Sequence, residues 1–319
     1  MTQNKVRFSI IAPVFNEVEG LQEFYKVIVQ VMEGVGSPWE LLLIDDGSKD
    51  GSRELILELA ASDERIVPLI FARNFGHQIA VTAGMDHAQG EAVVIIDADL
   101  QDPPEVIPDL IKKWEEGYQV VYAVRRHREG ETWFKRTTAS LFYRFIDSIT
   151  DIKIPLDTGD FRLLDREVLD VLNGMREQQR FLRGMSAWVG FNQIGVLYDR
   201  KSRFAGSSHY PLKKMLKLAL NAITGFSSFP LKLAETAGFT LLMVSALYGV
   251  TWLIMALLSI PLLPGQAFMV FLLLLIGGLI LLSIGITGEY LSRIYEEAKG
   301  RPLYILRKIP KNFISKEKK

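Results

Sequence analysis

Cysteine is absent from all 319 residues. That excludes a disulfide framework, a thiolate zinc site and a Cys nucleophile, and it accords with a reducing cytosolic setting. Excess charge of either sign is absent too, because Lys+Arg and Asp+Glu are 37 each. Bulk charge therefore makes no case for nucleic acid, and no such partner is expected. The opening Met1-Thr2-Gln3-Asn4-Lys5 lacks the apolar core of a signal peptide, so the part that follows is expected to stay cytoplasmic. After the first apolar run there is no Gly-x-Gly-x-x-Gly fingerprint, and there is no P-loop lysine motif. A hydride-transferring dehydrogenase and a P-loop NTPase are set aside on that ground. From Thr236 to Gly288 there is no charged residue at all.

What is present is an alternation of short β-rich runs and amphipathic segments. Val6–Ala12, Glu40–Ile44, Val67–Phe71, Val93–Ile96, Gln119–Val124 and Gln193–Tyr198 read as strands. Leu21, Phe24, Ile28, Val31 and Met32 recur at helical spacing behind Asn16 as N-cap, and Gly34 and Gly36 close that helix. Further helices are expected from Ser52 to Ala61, through Ala83, over Glu105–Trp114 and over Thr137–Ile149. This alternation predicts an α/β fold with right-handed crossovers and a doubly wound, mainly parallel sheet.

The chain is organised around Val93-Val94-Ile95-Ile96-Asp97-Ala98-Asp99-Leu100-Gln101-Asp102-Pro103. A buried strand runs straight into three acids and an amide, and Pro103-Pro104 stops the ladder. Open α/β sheets bind ligands at the carboxyl ends of their strands. Hard oxygens this close together suit Mg²⁺ or Mn²⁺, above all a cation that also holds phosphate. Taken alone, the turn reads equally as an acidic cap with Asp102 as N-cap. Other strand ends also carry acids, at Glu17 and at Asp45-Asp46-Gly47-Ser48.

The middle of the chain is basic, then acidic. Arg125, Arg126, Arg128 and Lys135 form either a solvated face or a loop that closes over phosphates, for which arginine is suited. Asp157-Thr158-Gly159-Asp160-Phe161-Arg162 places two acids at the mouth of another strand, with Asp160 and Arg162 expected as a structural ion pair. Phe181–Trp188 reads as a helix start with aromatic packing. His209 has no second His or Cys at ligand spacing, which argues against zinc.

Residues 1–210 are expected to form the soluble domain, and 211–235 a basic amphipathic segment lying in the headgroup layer. Two spans of about 20 residues follow within 236–290, at Gly238–Ile260 and Ala267–Thr287, split by Pro261–Gln266. A basic tail completes the chain over 291–319. Lysines and arginines flank the pair outside and not between, so the positive-inside rule puts both termini in the cytoplasm. Gly277-Gly278 and Gly285 allow close helix packing and suggest a homo-oligomer.

Pro13-Val14-Phe15-Asn16-Glu17, Ile44-Asp45-Asp46-Gly47-Ser48 and Asp97-Ala98-Asp99-Leu100-Gln101-Asp102-Pro103 stand in an order and spacing that resemble the GT-A inverting glycosyltransferases. The likeness is to the dolichol-phosphate-mannose-synthase group, and within it to bacterial bactoprenol (undecaprenyl-phosphate) glucosyltransferases. It covers nearly the whole chain.

The resemblance implies that Pro13, Phe15, Glu17, Asp45, Asp46, Asp97 and Ala98 hold the nucleotide. Asp97, Asp99 and Gln101 would surround Mg²⁺ or Mn²⁺. Asp99 and Asp157 would be the catalytic acids. Arg125, Arg126, Arg128, Lys135, Arg200, Arg203 and Ser207 would face phosphate and acceptor. Asp157 is either a general base or an orienting group, because a lipid monophosphate is already largely dianionic at pH 7. Gln178, Gln179 and Arg183 do not make the Gln-x-x-Arg-Trp spacing of processive synthases, which favours a single transfer.

The implied reaction is inverting transfer of one hexose, UDP-glucose foremost as donor, to polyprenyl phosphate at the inner membrane. GDP-mannose, UDP-N-acetylglucosamine or an aminoarabinose donor on the same scaffold is the alternative, and a non-catalytic membrane adaptor a further one.

Overall fold

A computed structural model describes residues 5–126, 158–199, 229–258 and 266–308. Residues 5–126, 158–199 and 302–308 belong to one compact unit, and 229–258 with 266–301 to a second. The helix expected over Thr137–Ile149 and the amphipathic stretch before Phe229 lie outside the described residues, as do Arg128, Lys135, Asp157, Arg200, Arg203, Ser207 and His209.

The first unit begins with strand β1 (Phe8–Val14), helix α1 (Val18–Val35), β2 (Trp39–Asp45), α2 (Ser52–Ser62), β3 (Ile66–Ile70), α3 (His77–His87) and β4 (Ala92–Ile95). A single 3₁₀ turn (Pro104–Val106) leads into α4 (Ile107–Glu115) and β5 (Val120–Arg125). Then come β6 (Thr158–Asp165), α5 (Arg166–Gly174), α6 (Leu182–Trp188) and β7 (Gln193–Tyr198).

The strands form one seven-stranded sheet in the order β3-β2-β1-β4-β6-β5-β7. β1 and β2 are buried along nearly their whole length and rich in Ile and Leu. A strand covered on both faces has no polar face to alternate, and this is why these two read as continuous apolar runs. One face of the sheet takes α1 through Leu21, Phe24, Ile28 and Met32, all fully buried. On α3, a Cβ at Gly84 would lie 2.4 Å from Cγ2 of Ile11. Only glycine lets α3 sit this close to β1.

Among the described residues β6 is the one antiparallel strand of the sheet. It inserts between β4 and β5 and pairs antiparallel with both, while β1 to β4, and β5 with β7, pair in parallel. The mainly parallel sheet expected from the sequence is thus observed, with β5 displaced one place from β4.

Two local expectations are corrected. Asn16 does not cap α1. It takes a left-handed conformation, φ 55°, and its Oδ1 accepts from the backbone N–H of Lys49 at 2.9 Å. The first turn of α1 is instead satisfied from the next loop, where Asp50 Oδ2 accepts from Val18 N–H at 3.0 Å and Ser52 Oγ from Glu17 N–H at 3.0 Å. Trp188 does not pack either, since it is 60% exposed at the end of α6.

The second unit comprises helices α7 (Phe229–Leu257) and α8 (Gln266–Ala298). Both are long and apolar enough to cross a membrane, consistent with membrane association. The boundaries expected at 235 and 291 both fall inside these helices. Thr236 and Thr240 return their hydroxyls to carbonyls one turn back, and Arg293 pairs with Glu289 at i,i+4. Such local pairing lets a helix run on through polar residues. The segment after α8 is not simply a tail. Residues 302–308 return to the first unit, where Leu306 forms an antiparallel bridge with Phe71 just past β3.

Candidate active site

The carboxyl ends of β1, β2 and β4 meet at one rim of the sheet, and each delivers part of the predicted constellation. β1 ends in Pro13 and Val14, with Phe15 beyond them 48% exposed. Glu17 is the residue before α1. Ala98 is buried in the core beneath the rim, so it has only backbone to offer a ligand.

Asp45 and Asp46 are buried and internally bonded. Asp45 Oδ1 accepts from Ser48 N–H at 2.8 Å, and Oδ2 from Arg53 Nε at 3.0 Å. Asp46 reaches across to the loop before α3. It accepts from Phe75 N–H at 2.6 Å, from Gly76 N–H at 3.0 Å and from Asn74 Nδ2 at 2.9 Å. Burial pushes the Asp46 carboxyl up, against the pull of those amides.

Gly47 sits where these loops touch. Its φ is +77°, and a Cβ would lie 2.7 Å from the backbone N of Asn74. Gly47→Ala is therefore expected to cost about 2–4 kcal/mol, from left-handed strain plus overpacking against rigid backbone. Chemical denaturation checks this, and a loss within the scatter of ordinary surface substitutions would contradict it.

Asp97 and Asp99 follow β4 on a tight turn. Asp99 Oδ1 accepts from Gln101 N–H at 3.1 Å, and Leu100 between them is left-handed, φ 57°. The β4–β6 register pairs Ile95 with Arg162. Two residues further along, it brings Asp160 opposite Asp97. The β1–β4 register, Ile11 with Ile95, brings Pro13 alongside in the same way. Asp97 thus stands between the predicted nucleotide loop and a second buried acid.

His77, the first residue of α3, closes this group. Its Nε2 is 3.2 Å from Asp160 Oδ2 and 3.6 Å from Asp97 Oδ1. Asp160 also accepts from Gln78 Nε2 at 3.1 Å and from Arg183 Nε at 2.8 Å. Burial disfavours the imidazolium, but Asp97 and Asp160 outweigh it and raise His77 to about 9. Burial pushes Asp97 up to about 6. His77 opposes that shift, and the carboxylates of Asp160, Asp102 and Asp99 reinforce it. Burial also acts against ionised Asp160, yet Arg183 and His77 hold it well below the usual carboxylate range.

The ion pair expected between Asp160 and Arg162 takes another form. Arg162 Nη2 bonds the Gly159 carbonyl at 3.0 Å, and Nη1 bonds Ser186 Oγ. With that guanidinium tied to backbone and hydroxyl, the Asp160 carboxylate takes its hydrogen bonds from α3 and α6. His77, Gln78 and Arg183 were not foreseen. The one sequence signal was a histidine and an amide placed directly after the strand-end loop Arg73–Gly76.

Of the basic residues, Arg125 and Arg126 are described. Arg125 Nε donates to Tyr198 Oη at 3.2 Å, and Tyr198 donates to buried Asp102. Burial and then Asp102 push the Tyr198 phenol up. Asp102 therefore anchors β7 and is no helix N-cap, the residue before the 3₁₀ turn being Pro103. Arg126 is 58% exposed beside Asp199 at 3.6 Å.

Asp97 Oδ1 is buried and has no hydrogen-bond partner. That oxygen, paired only at 3.6 Å with His77 and beside a second carboxylate, is a hard donor of the kind a divalent cation takes. No group of three or more His, Cys, Asp or Glu in a ligating cluster occurs among the described residues. A cation here would need oxygens from a bound ligand, as Mg²⁺ does when it bridges phosphate.

This mixed sheet, with acids gathered at the ends of its parallel strands, is that of a glycosyltransferase. The pattern of glycosyl transferase family 2 matches residues 9–172, and the chain belongs to that family. It is 50% identical over 303 residues to an uncharacterized glycosyltransferase, YkcC, of Bacillus subtilis, covering 95% of this chain and 94% of that one. It is 42% identical to the SfII prophage-derived bactoprenol glucosyl transferase of Shigella flexneri, covering 95% and 98%. With a prophage bactoprenol glucosyl transferase homolog of Escherichia coli K12 the identity is 40%, covering 96% and 100%.

Proposed function

We propose that this glycosyltransferase moves one hexose, glucose foremost, from a nucleotide-sugar to a polyprenyl phosphate at the cytoplasmic face of a membrane. The observation that carries this reading is the 42% identity, over nearly the full length of both chains, to bactoprenol glucosyl transferases. The name of those relatives joins a sugar to a lipid carrier. A chain that bears both a nucleotide-type rim and two apolar helices suits that pair of substrates.

In this reading the nucleoside lies over the exposed ring of Phe15 and the loop after β1, with its diphosphate toward Asp97 and Asp99. Asp97, Asp99 and Gln101 would hold a divalent cation, which when bound would offset charge on the departing nucleoside diphosphate. Asp46 sets the height of the Asn74–Gly76 backbone, and through it the start of α3. His77, at the start of α3, stands between Asp97 and Asp160 on the diphosphate side. The acceptor needs little help to attack, because its phosphate is largely dianionic at pH 7. Asp157, the basic residues Arg128, Lys135, Arg200 and Arg203, and Ser207 then orient donor and acceptor, and attack from the opposite face inverts the sugar carbon.

The two helices act as a tether that turns a search in solution into a search in the plane of the membrane. Basic residues flank the pair of helices on its outer ends and none lies between them. This pattern supports two spans with the catalytic unit and both termini on the cytoplasmic side. Self-association through the glycines of α8 belongs to the same proposal.

The test is transfer to an organic-extractable lipid. Purified protein in lipid receives undecaprenyl phosphate and labelled UDP-glucose, GDP-mannose, UDP-N-acetylglucosamine or an aminoarabinose donor, each with and without chelator. Transfer from UDP-glucose that stops on chelation is the expected result. Transfer from another donor alone would replace the sugar, and none from any donor by folded protein would overturn the reading.

A further inference from the structure

The rim loop Arg73–Gly76 has no regular structure of its own, yet it supplies the backbone that Asp46 grips and leads into His77, whose imidazole lies beside Asp97. A segment more than two hundred residues away in sequence brackets it. Directly past β3, Ala72 N–H donates to the Ile305 carbonyl at 2.9 Å, and Arg307 N–H donates to the Ile70 carbonyl at 2.8 Å. Arg307 Nη2 adds a bond to the Ala72 carbonyl at 3.1 Å. Tyr304 stacks on Phe71, with ring centres 5.4 Å apart and planes 15° from parallel. Phe71 in turn meets Phe75, inside the loop, edge-on at 5.4 Å. At the far end of α3, the Tyr304 hydroxyl donates to Asp86 Oδ2 at 2.9 Å. Leu303 is buried.

The strap 302–307 therefore grips both ends of the piece that runs from β3 through the loop to the last turn of α3. A bare sheet edge has no need of an aromatic stack aimed at the loop, since one or two backbone pairs already blunt it. We infer that Tyr304 and Arg307 are positioning residues for the donor half of the reaction. They hold Phe75, Gly76 and His77 at the height at which the rim meets the nucleotide diphosphate. The inference rests on the functional reading above for its kinetic consequence, though not for its structural one.

The test uses the full-length protein and three variants. Tyr304→Phe keeps the stack and loses the bond to Asp86. Tyr304→Ala loses both. Arg307→Pro removes both strap hydrogen bonds of an exposed residue, from its N–H to Ile70 and from its Nη2 to Ala72, so it serves if Tyr304→Ala fails to fold.

Two readouts are taken. In the first, amide exchange at Phe75 and Gly76 is expected to quicken in Tyr304→Ala and Arg307→Pro, with β1 and β2 still protected. In the second, the KM for UDP-glucose, with Mn²⁺ and undecaprenyl phosphate present, is expected to rise about three- to tenfold, the range an aromatic pair supplies. The kcat is expected to hold, and Tyr304→Phe to stay near wild type.

Unchanged exchange at Phe75 and Gly76 in both variants would overturn the inference. So would a fall in kcat that merely tracks the folded fraction, with KM unmoved. Should the wild-type protein transfer no sugar, the functional reading fails by itself, and the exchange measurement still decides the strap.

Discussion

Asp99→Asn is expected to lower sugar transfer by about 10²–10³-fold at saturating donor, the several kcal/mol that a cation supplies to a developing anion. The substitution isolates charge from shape. Asp99 Oδ1 accepts one backbone hydrogen bond, from Gln101 N–H, and an asparagine carbonyl can accept the same bond. The left-handed Leu100 can then stay where it is, and the unfolding curve should not move. The missing negative charge is what weakens a hard cation. Raising Mn²⁺ should accordingly recover part of the rate in Asp99→Asn and none in a variant that fails to fold. Rate constants measured across a Mn²⁺ series check this. Transfer within threefold of wild type, or about that, would remove Asp99 from the cation site.

The second large effect falls on stability. Asp160→Ala is expected to destabilise the catalytic unit by about 2–3 kcal/mol, below the usual cost of breaking a buried ion pair. The reduction has a structural reason. The Asp160 carboxylate is 10% exposed, but Arg183 is 30% and His77 40% exposed, so both partners regain water when it goes. Asp160→Asn should fall between Ala and wild type, since it keeps an acceptor for Arg183 or Gln78 and loses the charge.

The pH dependence gives a second handle on Asp160. Its carboxyl is depressed in the folded state. The stability it contributes is therefore present above the unfolded value of about 3.9 and is lost as pH falls through the folded value. The gap in unfolding free energy between wild type and Asp160→Asn should hold from pH 7 down to about 4 and narrow below it. Denaturation in micelles at a series of pH values measures that gap. Equal stability of the two proteins at pH 7 would contradict the role given to Asp160.

The parts of the site that were legible in the sequence are those a strand carries to its own end. Asp97, Asp99 and Gln101 follow four buried β-branched residues, and Asp45-Asp46 follow another apolar run. A strand that must bury both faces ends where the polar residues begin, so the acids had to lie at its carboxyl end. The two long uncharged helices were legible for a similar reason, since length and apolarity are one-dimensional properties. Helix ends were read less well. The polar turns that continue α8 to Ala298 bond locally, and nothing in composition distinguishes such turns from a tail.

Sequence by itself therefore determined the alternation of elements, the parallel core of the sheet, the carboxylates at its rim and the apolar pair of helices, because each follows from burial along a single segment. Tertiary structure alone decided what those carboxylates face. β6 runs antiparallel beside β4, and that register sets Asp160 against Asp97 across 63 positions of chain. α3 then brings His77 between them, α6 brings Arg183, and the strap after α8 closes over Phe71. These contacts join residues whose separation in sequence carries no period, and strand pairing and helix packing in three dimensions create them.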